Sequence, residues 1–381
     1  MEKQEIYVWV GQDYKEMTKS LLRECDLASL VGDRRKRIGI KPNLVNPTPA
    51  FLGATTHPEM VAGLIEYLQE EGFFHLSILE GSWVGDVTSD AFEVCGYEEL
   101  SRTYQVPLVD MQREKPHALT VDGEKIYVGE AALSVDFLIG CPVLKGHCQT
   151  RVTCAMKNLK GLLPNAEKRR FHALGLHRPI ALLQVALPQS FVLVDNICSD
   201  LDFEDGGNPV TMNRIFAARD PVLMDTYAAS LLHYRAEDIP YLIMAESLGA
   251  GCASLEKAQV RFFGEEAREL PLSRKVVAVE DVVEEVDSCS ACYGSLIPAL
   301  DSLREEYGFS GTDEILDALG DKICIGQGFR GKKGRLGIGN CTRGFARTLP
   351  GCPPEPEEIE DFLRGIMMEK KRREDEDRED G

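Results

Sequence analysis

No apolar run in the 381-residue sequence approaches the roughly 20 residues that a membrane helix needs, so a membrane-spanning protein is not expected. Basic charge is in deficit. Forty-three Lys and Arg face 62 Asp and Glu, a net of −19, and the phosphates of nucleic acids or anionic membranes would be repelled. The amino terminus, MEKQEIYVWVGQDYKEM, has neither an apolar signal core nor an Arg/Ser-rich transit bias, and the expected location is the cytoplasm. In that compartment twelve cysteines are not expected to be a disulfide framework but to include metal ligands.

With 44% hydrophobic and 28% charged residues the chain reads as globular, and its length suggests about two domains. Short Val-, Ile- and Leu-rich runs (EIYVWVG, RIGIKPNLV, HLSILEGS, VPLVD, FLIGCPVL, FVLVDNI) alternate with segments of helical period. In HPEMVAGLIEYLQEEGF, for example, Met60, Val61, Leu64, Ile65 and Leu68 share one face. This alternation predicts an α/β fold with a mostly parallel sheet flanked by helices, plus one inserted hairpin at the Asp-Gly of TVDGEKIYV. After VRFFGE the composition changes, and VVAVEDVVEEVDS reads as an acidic connector. The expected boundaries are an α/β domain over 1–280, a smaller cysteine-rich α/β iron-sulfur module over 281–368, and a charged, mobile tail over 369–381.

The module holds five of the twelve cysteines. Cys289 and Cys292 form a C-x2-C pair directly before a helical pattern, where the helix dipole favours thiolate. Cys341 and Cys352 follow among glycines. Four thiolates suit zinc or an iron-sulfur cluster. A zinc ribbon repeats a tight knuckle, whereas here ten residues separate Cys341 from Cys352, and Pro353 and Pro354 follow, as prolines do at iron-sulfur sites. Cys324, in the strand-like KICIGQG, reads as core. GQGFRG (Gly326–Gly331) has dinucleotide-type glycine spacing, but no helical pattern follows it, and it reads as a basic loop.

The order C-x2-C, then Gly339, Cys341 and Gly344, then GCPP (Gly351 to Pro354), resembles the 4Fe-4S site of the nickel-iron hydrogenase small subunit and its relative, the 20 kDa subunit of NADH dehydrogenase. The resemblance covers about 70 residues and implies that Cys289, Cys292, Cys341 and Cys352 ligate a 4Fe-4S cluster. The rest of those subunits has no counterpart here.

Between Phe137 and Val194 stand eight basic residues and one acid, a local +7. The stretch starts just after the strand FLIGCPVL, and ligands of open α/β sheets bind at the carboxyl ends of strands. LKGHCQTRVTCAMKNLKGLLP would offer Lys145, His147, Lys157, Asn158 and Lys160 to an anion, and IKPN would add Lys41 and Asn43 at the same rim. Lys145 and His147 flank a glycine and are the candidates for general acid or base. Lys41, Asn43, Lys157, Asn158 and Lys160 are the candidate substrate ligands. The bland alternative is a solvated basic face. Asp220 before Pro221 reads as a helix cap and Asp225 as a salt-bridge partner.

IKPNLV, LKGH with VTCAMKNLKGLLP, and DPVLMDTYAASLL together resemble domain-of-unknown-function family 362 (DUF362) over about residues 35–250. That resemblance implies an α/β domain joined to a ferredoxin-type cluster segment; here the dense C-x2-C-x2-C-x3-C-P run is replaced by the GCPP arrangement. The expected function is a 4Fe-4S redox enzyme that passes electrons from a ferredoxin-like donor to a small anionic substrate or bound organic cofactor. The alternatives are a non-redox enzyme using the cluster as Lewis acid, an electron-carrier or assembly module without substrate, and a zinc protein.

Overall fold

The computed structural model describes residues 1–147, 149–202, 204, 206–271, 279, 282–286, 288 and 290–379. The chain divides into two compact units, Met1–Phe171 with Leu176–Leu272, and His172–Gly175 with Ser273–Gly381.

The strands of the first unit are β1 (Glu5–Val10), β2 (Ile38–Pro42), β3 (Leu76–Glu80), β4 (Leu108–Asp110), β5 (Pro116–Val121), β6 (Glu124–Gly129), β7 (Phe137–Cys141), β8 (Lys145–His147), β9 (Arg151–Thr153), β10 (Phe191–Asp200), β11 (Pro209–Ala218) and β12 (Gln259–Gly264). Eight of them form one sheet in the order β12-β1-β11-β10-β7-β2-β3-β4. Only β11 runs against its neighbours; the other five adjacent pairs are parallel. The fold is thus α/β with a large, mostly parallel sheet flanked by helices.

Successive strand residues face opposite sides, and both sides are covered. On β10, Val192 and Val194 enter one core while Phe191 and Leu193 enter the other. Two-sided burial is why these strands read as unbroken apolar runs. The helix Pro58–Glu70 buries Met60, Val61, Leu64, Ile65 and Leu68 in the second core. β5 and β6 form a separate hairpin whose turn places Asp122 (φ 49°) and Gly123 (φ 77°) in the left-handed region, as an Asp-Gly turn requires.

The second unit has a four-stranded parallel sheet, β13 (Val283–Glu285), β14 (Ile323–Ile325), β15 (Leu336–Ile338) and β16 (Arg347–Leu349), in that order. The acidic stretch read as a connector therefore contributes a strand: Val283 is buried while Glu284 and Glu285 are exposed, so acidity and pairing coexist. Helices Ser290–Tyr307, Thr312–Leu319 and Pro356–Glu379 complete the unit. The last carries the charged run onward as helix and buries Ile359, Leu363, Ile366 and Met367 on one stripe.

Candidate functional site

In the first unit the expected ligand residues gather past the carboxyl ends of β2, β3 and β7. Lys41, on β2, is fully buried and donates to both carboxylate oxygens of Glu80, the last residue of β3, at 2.8 Å each. It also donates to the Pro42 carbonyl at 2.6 Å and to Asn158 Oδ1 at 3.3 Å, and Asn158 Nδ2 returns a bond to the Lys41 carbonyl at 2.9 Å. Burial pulls the Lys41 pKa down against the attraction of Glu80. The remaining lone pairs of Glu80 accept the amides of Leu44 and Gly81 at 2.8 Å. Gly161 lies over this pair so closely that a side chain there would strike Glu80 Oε1 and Lys41 Nζ.

Lys168 approaches the same carboxylate. It is buried, donates to the Gly81 and Ser82 carbonyls at 2.8 and 2.7 Å, and burial pushes its pKa down to about 8 against the pull of Glu80. Lys160 is half-buried, and its pKa is driven well below the usual lysine range first by burial, then by Lys157 and Lys168, with Glu204 opposing. Lys157 Nζ donates to Thr153 Oγ1 at 3.3 Å from the short helix Ala155–Asn158. The ammonium groups of Lys157 and Lys168 are thus close enough to disfavour the charge on Lys160.

Lys145 and His147 belong to β8, which pairs with β9, rather than to an open loop. Lys145 is buried and donates to the Ala54 and Glu204 carbonyls at 2.6 Å each. His147 Nδ1 accepts the amides of Gln149 (3.0 Å) and Thr150 (3.1 Å), which leaves the ring proton of the neutral form on Nε2, 3.2 Å from Glu204 Oε1. Glu204 is thus the node through which Lys145, His147 and Lys160 meet. The backbone of Asn43 is held by Thr56: its main-chain amide donates to Thr56 Oγ1 at 2.8 Å and its carbonyl accepts the Thr56 amide at 2.9 Å, which closes the loop after β2.

Several partners were not singled out from the sequence. Glu80 and Asp195 each end or interrupt an apolar strand (HLSILEG, FVLVDNI), and an acid at the carboxyl end of a buried strand is the signal that marks them. Asp195, fully buried, accepts His57 Nδ1 at 2.8 Å and the His57 amide at 2.7 Å. Burial opposes the imidazolium there, but Asp195 outweighs it and raises the His57 pKa. Asp220 caps its helix by accepting the amides of Val222 and Leu223. Asp225 instead accepts the amides of Ala155 (2.6 Å) and Met156 (3.1 Å) across the core, with burial pushing its pKa up to about 7. It therefore anchors the turn that carries Lys157 and Asn158, rather than pairing with a cation.

In the second unit Cys341 follows β15 by three residues and Cys352 follows β16 by three, on loops at the carboxyl edge of the parallel sheet. The Asn340 amide donates to the Gly351 carbonyl at 2.7 Å and the Gly351 amide to Asn340 Oδ1 at 3.1 Å, so the two loops are tied together. Cys292, in the helix after β13, brings its Sγ within 3.5 Å of where a Cβ on Gly339 would lie, an ordinary contact distance that sets this thiol against the loop leading to Cys341. Thiols are soft donors of the kind that zinc or iron-sulfur ligation uses, two of them here on tied loops and one on a helix. Cys289, the fourth expected ligand, lies outside the described residues, and among the described residues no three His, Cys, Asp or Glu side chains are grouped so as to hold a metal ion. Cys324 sits within β14, its Sγ 3.8 Å from Glu284 Oε2, and burial followed by Glu284 pushes its pKa up to about 11. GQGFRG runs from β14 into a single 3₁₀ turn, Gln327–Phe329, with no helix before β15. No helix among the described residues is long and apolar enough to cross a membrane.

The family described as Domain of unknown function (DUF362) matches residues 38–230, about half of the chain. A relative, the thylakoid-associated protein sll1697 of Synechocystis sp., is 25% identical over 237 residues, 58% of this chain and 70% of its own length. The lactate racemase apoprotein of Thermoanaerobacterium thermosaccharolyticum is similar at a TM-score of 0.41 and 14% identity; the likeness covers 59% of this chain and 57% of that one.

Proposed function

This chain belongs to the DUF362 family, and we propose that it is a 4Fe-4S redox enzyme whose first unit binds a small anionic substrate or organic cofactor. The observation that carries the cluster reading is the meeting of Cys292, Gly339 and the Gly351 carbonyl at the carboxyl edge of the second sheet, with Cys341 and Cys352 one or two residues away. Cys289, Cys292, Cys341 and Cys352 would hold the cluster, which when bound supplies one-electron chemistry.

The anion reading rests on Lys160, whose charge Lys157 and Lys168 both disfavour and an anion among the three would favour. Lys41, Glu80 and Asn158 form the buried floor that keeps this lysine group in position. Because Nε2 of neutral His147 carries the proton beside Glu204, the pair can give a proton to a bound substrate and recover it. A cytoplasmic location belongs to the same proposal and is checked by cell fractionation.

Anaerobic purification tests the cluster. The expected preparation is brown, with about four irons and four sulfides per chain, and Cys341→Ser and Cys352→Ser each lower the iron content sharply. One tightly held zinc without sulfide would overturn the reading.

A further inference from the structure

Residues 322–347 contain seven basic residues and no acid, in a chain of net charge −19. The fold gathers this charge. Phe329 and Phe345 meet edge to face, their centroids 5.6 Å apart, and the Ala346 amide donates to the Gly334 carbonyl at 2.9 Å. A Cβ on Gly344 would lie 2.6 Å from the Lys332 carbonyl, so the two loops touch through backbone. Arg330, Lys332, Lys333 and Arg343 emerge exposed around this clamp, and Arg343 is two residues from Cys341. Arg335 and Arg347 are engaged by Asp321 (3.1 Å) and Glu369 (2.7 Å). Among the described residues Lys332, Lys333 and Arg343 have no carboxylate within ion-pair distance; Lys332 lies over the Phe329 ring and Arg343 donates to Asn340 Oδ1 at 3.0 Å.

We propose that this cationic face is the docking surface of a small acidic electron-carrier protein, an inference that rests on reading the neighbouring thiols as cluster ligands. Cys341 is half-exposed and Cys352 exposed, so a partner seated on the lysines stands beside the ligand loops. Carriers of this kind form small, transient contacts in which complementary charge sets the encounter rate, and a few unneutralised cations suffice. A nucleic acid fits less well. Phe329 and Phe345 are buried and offer no stacking surface, and the acidic remainder of the chain repels an extended polyanion.

The test uses the anaerobically prepared holoprotein and a small acidic 2Fe-2S ferredoxin as probe. Binding is titrated calorimetrically at low and at physiological salt, for the wild type and for a Lys332→Glu, Lys333→Glu double variant. The expected result is binding that weakens about tenfold with salt and again about tenfold in the variant, with iron and sulfide contents unchanged. A loaded cluster with no binding, or with binding indifferent to salt and to charge reversal, overturns the docking surface and leaves the cluster reading intact. A wild-type protein without iron and sulfide overturns the cluster reading and removes the electron carrier as occupant. Equally tight binding of duplex DNA or phosphatidylserine vesicles assigns the face to a polyanion instead.

Discussion

Lys41 and Glu80 are both buried and form an ion pair at 2.8 Å, with Lys168 as a further cation near the carboxylate. Removing one partner leaves the other ionised in a low-dielectric floor, so Lys41→Met should cost about 3–5 kcal/mol, read from urea unfolding. Lys157→Met and Lys160→Met should behave in the opposite way. They relieve repulsion, so stability is unchanged or rises, while phosphate- or carboxylate-bearing ligands lose roughly 1–3 kcal/mol of binding, seen as smaller thermal shifts. Unchanged ligand shifts in both variants would leave only a basic surface. The sequence marks Lys157, Asn158 and Lys160 through the cation excess after an apolar strand, and Lys41 through the KPN that interrupts RIGI. Glu80 carries a signal of its own, an acid that ends an apolar strand, but its pairing with Lys41 depends on the sheet order, and β2 and β3 become neighbours only once the fold exists.

Elements were more legible than partners. Apolar runs in an Asp/Gly-punctuated chain identified β2, β3, β7 and β10, and the Asp-Gly pair identified the β5–β6 hairpin, because these patterns are local. The short β8–β9 pairing was not legible: Lys-Gly-His and Arg-Val-Thr carry no apolar alternation of their own, and their partners lie within the site. Asp225 shows the same limit. Its position one turn into a helix suggested an ion pair, yet it serves the turn Ala155–Asn158 across the core. Asp225→Ala would leave two buried amides unsatisfied and should cost roughly 2–4 kcal/mol, with anion binding weakened as Lys157 and Asn158 lose their support. Asp225→Asn keeps an acceptor and should recover part of both. In the second unit, Cys324→Ala should leave iron content at the wild-type level and cost about 1 kcal/mol, since the thiol is half-buried inside β14 rather than on a ligand loop. Loss of iron in this variant would make Cys324 a cluster ligand in place of one of the four.

At the scale of the whole chain, −19 is the sum of an acidic surface and two basic regions, and the stability of such a molecule carries opposing pH terms. The buried thiols of Cys25, Cys141 and Cys154 are all raised above their ordinary value by burial. The unfolded chain therefore ionises first, and these groups lose stability as pH rises through about 9. Lys168 acts in the other direction. Its native pKa of about 8 lies below the ordinary 10.5, so between those values the unfolded chain binds the extra proton and stability rises with pH. The two trends overlap in the wild type, but the difference between wild type and Lys168→Met isolates the lysine. That difference should move in favour of the wild type as pH rises from 7.5 to 10, by up to about 3 kcal/mol, measured by denaturant unfolding at each pH. Saturating phosphate should flatten the rise, because an anion beside the lysine group favours their charged forms and brings the native pKa values back toward the unfolded ones. A difference that ignores pH would mean that Lys168 reaches water; a rise that ignores phosphate would leave the lysine buried as found but remove it from the anion site.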